Sequence, residues 1–91
     1  YGWTSLMWAS YHNRFDSLKL LIKLGANLEI KDNSGATALL IAIKKESVNC
    51  IDLLLKSGAT INVVDNEGRN VIDYIPNQEI FNFIDNFFNI N

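Results

Sequence analysis

One cysteine, one histidine and one proline stand among 91 residues, and each scarcity closes off a class of chemistry. Cys50 has no second cysteine to pair with, so no internal disulfide forms. The composition fits a reducing, intracellular setting, cytoplasmic or nuclear. His12 is the sole imidazole, and no His/Cys cluster with metal-ligand spacing exists, so neither a metal nor a cofactor site is expected. Pro76 is the one obligatory helix breaker, and the chain before it is free to form uninterrupted helices. Purely apolar stretches run to only a few residues, and no segment reads as membrane-spanning or as a secretory leader. The chain does not open on Met, and it is expected to be a piece of a longer protein.

Charge is scarce as well. The net value is −2, too small for a general nucleic-acid or membrane field. It is unevenly spread. Residues 1–60 hold seven Lys/Arg and five Asp/Glu, for +2, whereas residues 61–91 hold one Arg and five acids, for −4. A weakly basic front and an acidic tail can orient a partner.

What is present is a period. Gly2, Gly35 and Gly68 are 33 residues apart, as are Gly25 and Gly58. Residues 20–35 laid over 53–68 agree at eight positions, including Leu20/Leu53, Leu21/Leu54, Lys23/Lys56, Ala26/Ala59, Asp32/Asp65 and Asn33/Asn66. A repeat of this length is one supersecondary unit copied along the chain, and it predicts a stacked solenoid. Each glycine marks a repeat turn, so none belongs to a phosphate-cradling loop. The units run over 2–34, 35–67 and 68–91, without linkers.

Within each unit the pattern predicts two helices joined by a tight turn. The first helices fall at 5–12, 38–45 and 71–75, with Thr4, Thr37 and Asn70 as N-caps. The second helices fall at 16–24 and 49–57. Leu18, Leu21 and Ile22 share one face, and Ile51, Leu54 and Leu55 match them. Asn13 and Glu46 hold equivalent turn positions, and Asn tolerates positive φ. In the last unit Pro76 ends the first helix early and a second follows at 78–88, with Ile80, Phe83, Ile84 and Phe87 at helical spacing. Aligning Ile80 with Cys50 gives an offset of 30. This atypical last unit is expected to close the stack, leaving Phe81 and Phe88 exposed.

The residues that carry the period resemble the ankyrin repeat, whose pattern reads roughly D-x-x-G-x-T-P-L-H-x-A-A and, after a second helix, L-L-L-x-x-G-A. The chain has Asp32-Asn33-Ser34-Gly35-Ala36-Thr37-Ala38-Leu39-Leu40-Ile41-Ala42 and Leu53-Leu54-Leu55-Lys56-Ser57-Gly58-Ala59. Earlier stand Gly2-Trp3-Thr4-Ser5-Leu6 and Leu20-Leu21-Ile22-Lys23-Leu24-Gly25-Ala26. A third start follows at Asp65-Asn66-Glu67-Gly68-Arg69-Asn70. The family's Pro is replaced by Ser5, Ala38 and Val71, and its His by Met7, Leu40 and Asp73. The resemblance implies an all-α ankyrin-repeat solenoid of helix-turn-helix units with projecting β-hairpin-like loops. It also implies that Asp32 and Asp65 brace those loops by accepting backbone N–H bonds, rather than forming a catalytic pair.

Carried over residue by residue, the family's binding face comprises hairpin tips and the inner ends of the first helices. Here these are Tyr1, Trp3, Tyr11 and His12 in the first unit, with Trp8 one turn along. The second unit contributes Lys31, Asn33, Ser34, Ala36, Lys44 and Lys45, and the third Val64, Asn66, Glu67 and Arg69. The first unit is unusually aromatic, and Trp and Tyr dominate interface hot spots. The lysines beside it suit an acidic segment. The expected function is a non-enzymatic protein–protein interaction module, a scaffold or adaptor whose partner is another protein rather than a nucleic acid or a membrane. The alternative is a regulatory or targeting domain of a larger enzyme such as a kinase or an acyltransferase. A monomer, or weak self-association through the exposed N-terminal edge, is the expected state.

Overall fold

The computed structural model describes residues 2–88. Tyr1 and residues 89–91 lie outside them. Six helices follow one another: α1 (Ser5–Tyr11), α2 (Phe15–Lys23), α3 (Ala38–Lys44), α4 (Val48–Lys56), α5 (Val71–Tyr74) and α6 (Gln78–Phe88). There is no strand among the described residues, so the expected β-hairpin-like loops are turns without a ladder. First helices stack on first helices, α1 on α3 and α3 on α5, while α2 packs on α4. The expected bounds are met to within one residue at each end.

Each first helix starts where a side chain satisfies an orphan N–H. Thr4 Oγ1 accepts from Met7 N, Thr37 Oγ1 from Leu40 N, and Asn70 Oδ1 from Asp73 N. The positions where the family carries His add something that the sequence did not announce. Asp73 Oδ2 accepts from Asn70 N at 2.9 Å and Met7 Sδ from Thr4 N at 3.5 Å, which closes a reciprocal capping box in each outer unit.

The second helices α2 and α4 have no side-chain cap. The tight turn before each sets its start: Asn13 and Glu46 adopt φ of 54° and 58°. This lets Arg14 N reach Ala9 O and Ser47 N reach Ala42 O. Glu46 bears a cost of about 1–2 kcal/mol for the left-handed backbone. Its carboxylate accepts from Asn77 Nδ2 at 2.9 Å, a bond to the next unit. Both helices end alike. Gly25 N bonds Ile22 O and Ala26 N bonds Leu21 O, and the same pair of bonds recurs at Gly58 and Ala59. This is a Schellman ending, and it explains why the Gly-Ala pair repeats.

The core is one continuous cluster with residues from all six helices. In α3 every residue from Ala38 to Ile43 is buried, because α1, α4 and α5 surround it. Ser10 is buried too, and its hydroxyl is satisfied by Leu6 O. Cys50 is fully buried, as a packing residue, and its thiol points at Asn13 Oδ1, 3.7 Å away. In α6, Ile80 and Ile84 are buried and Phe83 and Phe87 pack against the cluster, while Phe81 and Phe88 are exposed as expected.

The loops are tied across units. Asn66 N donates to Ser34 O, Asn66 Nδ2 to Asn33 O, Lys31 Nζ to Val64 O and Thr60 N to Glu29 Oε2. Gly35 makes room for this: at φ +87° a Cβ would lie 2.6 Å from Asn66 N. Gly58 has a similar φ of +93°, but a Cβ there meets nothing within 4 Å. Both glycines replaced by Ala therefore incur roughly 1–2 kcal/mol of backbone strain. Only Gly35→Ala also breaks the Asn66–Ser34 bond, adding about 1 kcal/mol. Thermal unfolding followed by circular dichroism is expected to show a clearly larger Tm loss for Gly35→Ala than for Gly58→Ala. Equal losses would contradict the close approach.

Candidate functional site

The loop aspartates organise the surface as well as the fold. Asp32 Oδ1 accepts from Ser34 N, Ser34 Oγ and Ala36 N, at 2.7–2.9 Å. Its second oxygen accepts from Trp3 Nε1 at 2.9 Å, reaching back into the first unit. Asp65 repeats the arrangement. Its Oδ1 accepts from Glu67 N and Arg69 N, and its Oδ2 from Arg69 Nε at 2.8 Å and Tyr74 Oη at 2.7 Å. The expected bracing role is met in both. One oxygen shapes the loop, and the other fixes an aromatic side chain that a loop brace alone would not need.

Trp3 is thereby held against Tyr11, with ring centroids 5.0 Å apart. Lys45 Nζ stands 4.5 Å over the Tyr11 ring, a cation–π contact. Lys44 is exposed beside it. Neither lysine forms an ion pair among the described residues. Together Trp3, Tyr11, Ser34, Lys44, Lys45 and Tyr74 line a shallow groove of about 190 Å³. Its chemistry is two aromatic faces, a phenol, two ammonium groups and the Asp32 carboxylate, whose oxygens are already engaged by Trp3, Ser34 and Ala36, which leaves the ammonium groups to meet a carboxylate.

Ala36 is buried and lines the groove, and its N–H donates to Asp32. Not every expected residue joins this groove. Trp8 lies elsewhere. It stacks on His12 at 4.4 Å, has Arg14 5.9 Å above its ring, and faces Ser5, Ser17 and Leu20 at the front of the stack. His12 touches Tyr11 on its other side, at 4.9 Å, and so links the two aromatic regions. Lys31, Asn33 and Asn66 are engaged in the bonds between loops. Glu67 pairs with Arg69 at 2.8 Å, and Val64 is exposed in the loop between α4 and α5. Tyr1 is outside the described residues. Tyr74 was missed; it stands 33 residues beyond Ile41 and 66 beyond Trp8, a register position where an aromatic residue was the available signal.

The braces shift the acidities of the groups they join. Burial draws the Asp65 carboxyl upward, but the bonds from Tyr74, Arg69 and Glu67 outweigh it and hold Asp65 far below the usual carboxylate range. Asp32 is lowered in the same way, with burial opposed by Ser34, Ala36 and Trp3. Tyr74 is pushed up to about 12 by burial and by its bond to Asp65. Burial also raises the Cys50 thiol. Among the described residues no group of three or more His, Cys, Asp or Glu is placed to hold a metal ion. No helix there is long and apolar enough to cross a membrane.

The linkage has opposite signs for the two kinds of group. The lowered aspartates stabilise the fold above the ordinary carboxylate pKa of about 4, and that contribution is lost as pH falls toward their folded values. The raised phenol stabilises below the ordinary tyrosine pKa of about 10, and its contribution is lost as pH climbs toward about 12. Tm is expected to fall on acidification below about pH 4, and Asp65→Asn is expected to lower Tm at neutral pH while flattening that dependence. Phenolate absorbance is expected to show one tyrosine titrating near 12, a component absent from Tyr74→Phe. Unchanged acid dependence in Asp65→Asn would refute the assignment.

Comparison with known families finds that residues 1–65 match a model described as "Ankyrin repeats (3 copies)". No curated protein matches the chain. The match covers well over half of the 91 residues. The chain belongs to the ankyrin repeat family.

Proposed function

We propose that this chain is a non-enzymatic protein-interaction module that grips an acidic segment of its partner in the Trp3–Tyr11–Lys45 groove. Ankyrin repeats are generally protein–protein interaction modules, which supports the general class. The observation that carries the specific reading is the cation–π pair of Lys45 and Tyr11 beside an exposed Lys44. Aromatic side chains with two rotatable angles contribute contact area at little entropic cost, and here Trp3 is already fixed by Asp32. A preformed surface loses little freedom on binding. The lysines add steering and selectivity for carboxylates over other partner chemistries. The same reading serves a scaffold or adaptor and a targeting domain in a larger polypeptide.

Selection from a random peptide library, followed by titration of the chosen peptides, tests the reading. Binders are expected to be rich in Asp and Glu around a hydrophobic or aromatic residue. Tyr11→Ala and Lys44→Glu are each expected to weaken binding by about tenfold, the effect of losing one hot-spot contact. Glu79→Lys, far along the chain, is expected to leave it unchanged. Peptides without acidic character, or affinities indifferent to Tyr11 and Lys44, would sink the proposal.

A further inference from the structure

The groove that holds Trp3, Tyr11 and Lys45 is uneven in its hydrogen bonding. Besides Tyr11, the neutral side-chain donors that line it are Trp3 Nε1–H, Ser34 Oγ–H and Tyr74 Oη–H. Each of these three has committed its single proton. Trp3 and Ser34 donate to Asp32, at 2.9 and 2.7 Å, and Tyr74 donates to Asp65 at 2.7 Å. The backbone N–H groups of Ser34 and Ala36 are spent on Asp32 as well. A hydroxyl that has given its proton away keeps only lone pairs. Ser34 Oγ, on an exposed residue, and Tyr74 Oη, on a half-buried one, are therefore acceptors with nothing left to offer an anion.

Charge is divided in the same way. Lys44 and Lys45 line the groove from the C-terminal end of α3. Asp32 and Ser34 line it from the loop that leads into the other end, where Thr37 is the N-cap. At 1.5 Å per residue, the eight steps from Thr37 to Lys45 separate the two ends by about 12 Å. Tyr74 adds to the acidic side through its bond to Asp65. Asp65 and Glu67 share the single Arg69, so that trio sums to −1. Both aspartates keep their carboxyls below the usual range and stay ionised at neutral pH.

We propose that the partner's segment is bipolar: besides the carboxylate that meets Lys44 and Lys45 it carries an arginine, whose guanidinium donates to Ser34 Oγ and Tyr74 Oη beside Asp32. This rests on the acidic-segment reading above and adds a second element of specificity to it. A guanidinium has five N–H donors and no acceptor, which matches a wall of acceptors whose protons are spent. It also stacks on aromatic faces, and Trp3 provides one. A second carboxylate at that wall meets lone pairs and the like charge of Asp32, a repulsive element that rejects it. The groove thus reads the order of charges along a segment and not the amount of negative charge.

Synthetic peptide arrays probed with the full chain test this. Every peptide carries a Trp and a Glu, and a further position, scanned along both sides of the Glu, is Arg, Met or Glu. Met approaches Arg in reach and offers no donor. The best matched sets of three are then titrated by fluorescence anisotropy. At one spacing the Arg peptide is expected to bind about tenfold more tightly than the Met peptide, the effect of one hydrogen bond to a charged group. The second Glu is expected to bind more weakly there than Met. Ser34→Ala and Tyr74→Phe, with circular dichroism to check folding, are each expected to cut the preference for Arg over Met to about threefold. Equal affinity for Arg and Met at every spacing, or tightest binding of peptides with two Glu, overturns the inference and leaves the acidic-segment reading standing. A preference for Arg that both variants keep in full overturns it too, since the contact then lies elsewhere. No binding to any array overturns both readings.

Discussion

A unit of two short helices cannot bury its own apolar face, and this constraint governs the whole molecule. Helix α3 shows the solution at its fullest. Six successive residues are buried because a neighbour stands on either side and α4 covers the remainder. Helices of seven residues are far too short to persist alone in water. Their existence is a property of the stack, and the caps and left-handed turns only fix where each begins and ends. Away from the middle of the stack, equivalent positions are less covered: Ile72 is exposed where Leu6 and Leu39 are buried.

The aspartate braces join fold and surface into one network. Each carboxylate spends one oxygen on the backbone of its loop and the other on an aromatic residue, Trp3 or Tyr74, that borders the groove. Neither Asp can be treated as only a loop residue or only a site residue. A change that loosens a loop also releases an aromatic wall. The lowered carboxylates and the raised phenol express the same coupling in protonation, since every one of these bonds favours the charged Asp or the neutral Tyr.

The period made the helices legible. Caps, turns and glycine endings recur at fixed offsets, and all of these are local signals. The brace role of Asp32 and Asp65 was legible through the family pattern. What the pattern could not supply was which side of a helix receives a neighbour. Trp8 and Tyr11 lie three residues apart, yet one faces the front of the stack and the other the groove. The family pattern counts Ala36 with the binding face, yet it is buried and its N–H donates to Asp32. Met7 and Asp73 were noted only as losses of the family's His, whereas in three dimensions they complete capping boxes. Distinctions of this kind depend on packing between residues about 30 apart, and no window of local sequence contains them.

The sole thiol acquires a use from its position. Cys50 is sealed between the first two units, its sulfur facing Asn13 and its ionisation suppressed by burial. A reagent that modifies thiolates cannot reach it while α2 rests on α4. Its rate of labelling therefore counts the moments at which the first unit lifts away from the second. The chain carries its own chronometer for fraying at the front of the stack, with no added probe and no competing cysteine to confuse the signal.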